Sequence, residues 1–246
     1  MWDNNNSMKM LRSAIPLVLI LVLPLLFAAG TIRWMAGTVQ LYEYDFNKYE
    51  ISKVTGISNA DLKKVAQKMA DYLSLGTSSP QVTVQKEEKF FDIYNQREID
   101  HLKDVRGLML LAFQLQLIGF LLLAICVLLS TFKKGIGWNP LLKGCIWGSA
   151  ATMILMAGLG FVSITGFDRF FLFFHEVSFS NNLWILDPSK DFLIMMFPSD
   201  FFNDAAIFWF ASVLIEALVV SIIAWNVMKR MGTSRESSVS TPSIQV

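Results

Sequence analysis

A chain of 246 residues that is 54% hydrophobic and only 17% charged, with a mean hydropathy of +0.47, is too apolar for an ordinary water-soluble domain. A net charge of +1 offers nothing to attract nucleic acid. The two cysteines, Cys126 and Cys145, form no C-x-x-C or zinc-finger spacing, and neither a Gly-rich phosphate loop nor a G-x-S-x-G elbow occurs.

A helix that crosses the hydrocarbon of a bilayer needs about 20 mostly apolar residues, and four segments provide them. Residues 1–36 carry the first, Ser13 to Ile32, in which Pro16 and Pro24 are tolerable because neighbouring helices re-satisfy the freed carbonyls. The small residues Ala28 to Gly30 also allow a signal-peptide reading, but the apolar run is longer than a signal core of about 7 to 15 residues.

Residues 37–104 read as a small α+β cap. Val39 to Phe46 alternates weakly, as a strand does. Ser58 followed by Asp61 resembles a helix start, and Leu62, Val65, Ala66, Met69 and Leu73 then recur at helical spacing. After Pro80, Val82 to Gln85 and Lys89 to Ile93 predict two strands joined by a charged turn.

The stretch NQREIDHLKDVRGL, Asn95 to Leu108, predicts a helix that leaves the cap and continues into the second span, Val105 to Phe132. The third span, Leu141 to Gly166, is rich in small residues such as Gly144, Gly148 and Gly158, which let helix backbones approach closely. Residues 105–166 are thus two spans with a short connection, and both cysteines fall inside them as small apolar residues. Residues 167–205 mix aromatics and methionines with Asp, Asn and Pro, too interrupted for a fifth span, and read as a segment at the membrane surface. Residues 206–246 hold the fourth span, Ala206 to Met228, and a Ser/Thr-rich tail from Gly232 that is expected to be disordered.

Lys and Arg are retained on the cytoplasmic side of short loops. Lys9 and Arg12 precede the first span, Lys133, Lys134 and Lys143 surround the second connection, and Lys229, Arg230 and Arg235 follow the fourth span. The expected protein is therefore a membrane-embedded all-α bundle of four helices with a small extracytoplasmic α+β cap. It is expected to be multi-pass, with both termini in the cytoplasm.

The chain contains two histidines, His101 and His175. The topology puts both at the outer boundary, one before the second span and one after the third. Each can be an interfacial side chain with an apolar body and a wet tip. Two at one depth are also a candidate acid–base pair, since histidine titrates near neutral pH. Glu98 and Asp104 lie three residues to either side of His101, within helical reach of its ring, although Arg97 and Lys103 can equally pair with these acids. Asn181, Asn182, Asp187 and Asp191, interleaved with apolar anchors, can form a floor for a lipid-linked polar group. Glu216, near the middle of the fourth span, has Gln114 and Gln116 as candidate partners and reads first as a structural polar contact.

The segments NQREIDHLKDVRGL and FHEVSFSNNLWILDPSKDFLIMMFPSDFF, on a four-span frame, resemble the bacterial lipoprotein intramolecular transacylase (Lit) family. The matching positions are Arg97, Glu98, His101 and Asp104, then His175, Phe179, Trp184, Asp187, Pro188, Asp191, Phe197 and Pro198. The resemblance implies catalytic roles for His101 and His175 and no cofactor or metal; the expected substrate-binding residues are Arg97, Glu98, Asp104, Phe179, Asn181, Asn182, Trp184, Asp187, Asp191 and Phe197. It also implies diacylglyceryl-modified lipoproteins and membrane lipids as partners. The implied reaction moves the sn-2 acyl chain of a diacylglyceryl-cysteine to the α-amino group of that same cysteine, giving a lyso-form lipoprotein. Two readings compete: a lipid- or partner-binding membrane protein without chemistry, and a metal-dependent lipid hydrolase, for which two distant histidines are a weak ligand signature. Transport has no support in an inverted repeat or paired broken helices.

Overall fold

The computed structural model describes residues 4–239, in the order α1 (Asn4–Ala36), α2 (Val39–Lys48), α3 (Ile51–Thr55), α4 (Asn59–Leu73), β1 (Thr83–Lys86), β2 (Lys89–Asp92), α5 (Gln96–Phe132), α6 (Asn139–Thr165), α7 (Phe167–Ser178), α8 (Phe192–Met196) and α9 (Ser199–Val239). Four helices are long and apolar enough to cross a membrane: α1, α5, α6 and α9 over Ser199–Gly232. Leu17, Leu21, Leu117, Phe120, Ile154, Phe161, Ile215 and Ile223 stand exposed on them. Such faces are unfavourable in water and at home among acyl chains.

The contacts divide the chain into two compact units. One comprises Met1–Ala28, Gln116–Ala157 and Ala211–Val246. Within it α6 lies close to α1: a Cβ on Gly144 would come within 2.7 Å of the Leu19 side chain, and one on Gly148 within 2.6 Å of the Leu19 carbonyl oxygen. The small-residue expectation for the third span holds at these two positions, whereas Gly158 meets nothing within 4 Å. Both cysteines are free thiols.

The other unit, Ala29–Leu115 with Gly158–Phe210, contains the cap. Ser58 caps α4 by accepting from the Asp61 N–H, and the expected stripe of Leu62, Val65, Ala66 and Met69 is buried. These residues share one core with Tyr42, Phe46, Ile57, Tyr72, Val84, Ile93, Met196 and Phe197. The hairpin forms in antiparallel register, Thr83 opposite Asp92 and Lys86 opposite Lys89. Its two-residue turn places Glu87 and Glu88 at positive φ, a conformation that Asn and Gly adopt at lower cost.

Two expectations are corrected. Val39 to Phe46 is not a strand but α2, because Tyr42, Asp45 and Phe46 fall on one helical face that the core buries. The tail is not irregular from Gly232, since α9 continues to Val239; residues 240–246 lie outside the described ones.

Candidate functional site

At 37 residues α5 is about 55 Å long at 1.5 Å per residue, far more than a hydrocarbon layer of about 30 Å. Its polar start, residues 96–104, therefore stands clear of the apolar span. That start is an N-terminal capping box: the Asn95 Oδ1 accepts from the Glu98 N–H at 3.1 Å, and the Glu98 Oε2 accepts from the Asn95 N–H at 2.7 Å. The second oxygen of Glu98 accepts from the Leu193 N–H at 2.6 Å. The Asn95 amide donates to Asp191, whose other oxygen accepts from the Asp187 N–H. Glu98 and Asp191, 1% and 3% exposed, are thus the centre of a buried knot that ties the start of α5 to residues 187–193. Burial raises the Glu98 pKa; the N–H groups of Leu193 and Asn95 oppose the shift.

One turn past Glu98 stands His101, buried at 7% exposure. The second histidine comes from α7, where Phe167, Phe170, Phe171, Phe174 and His175 recur at three- and four-residue spacing and so share a face. The His175 Nδ1 lies 2.8 Å from the Phe171 carbonyl oxygen. A carbonyl only accepts, so that nitrogen carries the proton and the neutral ring keeps a lone pair on Nε2. The two imidazole centroids are 6.2 Å apart.

Both rings line one cavity of about 300 Å³ that is walled by Phe171, Phe174, Phe179, Trp184, Phe197 and Phe202. Phe179 lies edge-on to His101 at 5.1 Å, and Trp184 is 5.1 Å from His175. In so apolar a chamber the imidazolium form is disfavoured. Burial, reinforced by the neighbouring His175 and opposed by Asp104, pushes the His101 pKa down to about 4. Burial lowers that of His175 as well, against the Phe171 carbonyl. The Nδ1 of His101 is buried without a hydrogen-bond partner among the described residues.

The expected polar residues fall into two groups. Asp104 accepts from the Asn181 amide, and Arg97 donates to the Asn182 and Leu183 carbonyls. Two points two turns apart on α5 therefore hold the segment that carries Trp184. Neither Glu98 nor Asp104 hydrogen-bonds His101, and neither pairs with Arg97 or Lys103; Lys103 joins Asp100 instead. Asp187 accepts from Ser189 and pairs with Lys190 at the surface. Phe179, Trp184 and Phe197 line the histidine cavity, whereas Glu98, Asp104, Asn181 and Asn182 do not, and Arg97, Asp187 and Asp191 line a separate polar cavity with Asn95 and Lys190. Phe171, Phe174, Phe201 and Phe202 were not anticipated as lining residues. The one available signal was helical spacing: Phe171 and Phe174 precede His175 by four residues and one. Among the described residues no group of three His, Cys, Asp or Glu side chains is placed to hold a metal ion.

Four helices able to span a membrane, with a capped unit enclosing two histidines in an aromatic chamber, define a polytopic membrane protein with a lipid-compatible pocket. The model of one family, lipoprotein intramolecular transacylase Lit, matches residues 17–202, and the chain belongs to that family. The fold is also that of the membrane-integral Lit of Bacillus cereus, solved in meso: TM-score 0.73 at 20% identity, covering 93% of this chain and 99% of that one. Two variants of the same protein, with a histidine replaced by arginine or by alanine, align with TM-scores of 0.71 and 0.72 at 20% and 19% identity, each covering 94% of this chain. No curated protein sequence matches the chain significantly.

Proposed function

We propose that His101 and His175 are the acid–base pair that moves the sn-2 acyl chain of a diacylglyceryl-cysteine to the α-amino group of the same cysteine, on the outer side of a bacterial cytoplasmic membrane. One observation carries the reading: the two histidines of the sequence, 74 residues apart (175 − 101), line a single apolar cavity with their rings 6.2 Å from each other.

In this reaction the amine nitrogen bonds to the ester carbonyl carbon and the bond from that carbon to the glyceryl oxygen breaks. One proton leaves nitrogen and one arrives on oxygen, so no net charge is created. The lone pair on His175 Nε2, exposed because Nδ1 is engaged by Phe171, takes the amine proton. His101 receives that proton across the gap between the rings and passes it to the departing alkoxide, so that both imidazoles end neutral. Rings at this separation can exchange the proton through one water or through the substrate. Both start neutral at pH 7, as a base must.

The aromatic wall supplies the rest. Amine and ester belong to one molecule, so the main task is to fold the linkage between them into a ring, and a pocket fixed by Phe179, Trp184 and Phe197 selects that fold. An apolar chamber also favours the unprotonated amine that attacks. Arg97, Asp104, Asn181 and Asn182 act by holding Trp184 in place.

The test is co-expression with a defined diacylated lipoprotein in a host lacking the activity, followed by mass spectrometry of the N-terminal peptide. The parent should separate the two acyl chains onto glycerol and nitrogen. His101→Ala and His175→Ala should each lower the rate about 10²-fold or more, and the double variant should lose far less than the product of both effects, as groups on one proton path do. A folded His175→Ala protein that forms the lyso product at the parental rate would sink the assignment.

A further inference from the structure

A second cavity, of about 550 Å³, lies within the other unit, where α1 starts, α6 starts and α9 leaves its apolar stretch. Arg12, Pro16, Trp138, Asn139, Lys143 and Met231 are in its lining. Arg12 and Lys143 are both exposed, and neither has an ion-pair or hydrogen-bond partner among the described residues. Among the described residues no carboxylate lines the cavity. The first turn of α6 opens into it at Asn139 and Pro140, the positive end of a 27-residue helix. Trp138 is 41% exposed beside these cations, and Pro16, Ile136 and Met231 make the remaining surface apolar.

The geometry points to a binding site for an anionic phospholipid, independent of the acyl-transfer reaction. A phosphodiester seated between Arg12 and Lys143 gains two cations and the Asn139 N–H at the positive end of α6. The apolar side of the cavity and the exposed Trp138 match the glyceryl and first acyl carbons, which a free phosphate does not have. The cavity sits at the ends of three apolar helices, at the depth where headgroups lie, and basic pockets of this kind between helix ends take anionic headgroups. Orientation alone explains an excess of Lys and Arg at these helix ends; it does not explain two cations, without partners among the described residues, lining one concave space with Trp138.

The experiment is native mass spectrometry of the delipidated full-length protein in detergent, titrated with phosphatidylglycerol or with phosphatidylcholine of identical chains. The parent should bind one phosphatidylglycerol about tenfold or more tightly than phosphatidylcholine. Arg12→Gln with Lys143→Gln should abolish that preference, while Lys133→Gln with Lys134→Gln, an equal loss of charge outside the cavity, should leave it within about twofold. Lys143→Gln alone, at an exposed position where folding is not at risk, should weaken the preference by about threefold or more. The proposal is overturned if the two double variants lose the preference equally, since the attraction is then diffuse. It is also overturned if glycerol phosphate displaces the lipid at the lipid's own concentration, which marks a site for free phosphate.

Discussion

His101 is a buried titratable side chain in an apolar cavity. Its ordinary pKa near 6.5 falls to about 4 because burial strips water from the imidazolium and His175 stands beside it. Above about pH 6.5 the ring is neutral in the folded and unfolded states, and its titration leaves stability unchanged. Between about 6.5 and 4 the unfolded chain takes up a proton that the folded chain refuses, so stability declines as pH falls through that window. Thermal unfolding in detergent from pH 8 to pH 4 should show this decline, and His101→Phe should flatten it. Equal acid slopes in the two proteins would mean that His101 is not desolvated. Trp184, 5.1 Å from His175, acts differently, through shape. Trp184→Ala should raise KM and lower kcat together, measured with a diacylated lipopeptide, whereas loss of a proton carrier lowers kcat with little change in KM.

The elements that place these residues are held by few contacts, each of which is testable alone. The capping box at the start of α5 satisfies the N–H groups of Asn95 and Leu193 with one carboxylate. Glu98→Ala leaves the buried Leu193 N–H without an acceptor and should cost about 1–3 kcal/mol, read as a lowered Tm. Asp187→Ala, which removes a surface carboxylate paired with Ser189 and Lys190, should change stability by no more than about 0.5 kcal/mol. In the other unit the approach of α6 to α1 depends on the missing side chain of Gly148. A methyl group there meets backbone, the Leu19 carbonyl, at 2.6 Å, and backbone does not rotate away. Gly148→Ala should cost about 1–3 kcal/mol. Gly158→Ala, in open space, should be neutral or slightly stabilising through helix propensity. If both alanines are equally tolerated, α1 does not pack on α6 at that position.

For the molecule as a whole, four span-capable helices among the described residues and the Lys/Arg distribution predict both termini and the connection at 133–138 on one side of the membrane, with residues 37–104 and 167–205 on the other. The predicted orientation puts the termini in the cytoplasm. A periplasmic-type reporter that works only outside should be active when fused after Ser58 or after Lys190, and inactive after Gly135 or after Ser234. Activity at Gly135 would reverse the orientation and separate the histidine chamber from an outward-facing lipoprotein substrate.

Hydrophobic length and local periodicity alone determined the four spans, the α4 stripe, the hairpin and the helix running from Asn95 into the membrane, because each depends on residues within a few positions of one another. A bilayer strengthens this, since it demands long uninterrupted apolar helices. Short segments escaped. Val39 to Phe46 is compatible with either period, and only the burial of Tyr42 and Phe46 against Phe197 and Phe201 selects the helix. The site was half legible. The sequence itself pointed to His101 and His175, and the family resemblance implied Phe179, Trp184 and Phe197, but the carboxylates near the histidines in sequence bind backbone and amides elsewhere. Glu98 serves Leu193, 95 residues away, Asp104 serves Asn181, 77 residues away, and Asn95 reaches Asp191, 96 residues away. Those contacts bring two helices of the capped unit together and set the rings 6.2 Å apart. Helical spacing puts Glu98 and Asp104 within reach of His101, yet backbone donors and amides that arrive only on folding take their lone pairs, because a buried carboxylate is stabilised most by N–H groups aimed at it.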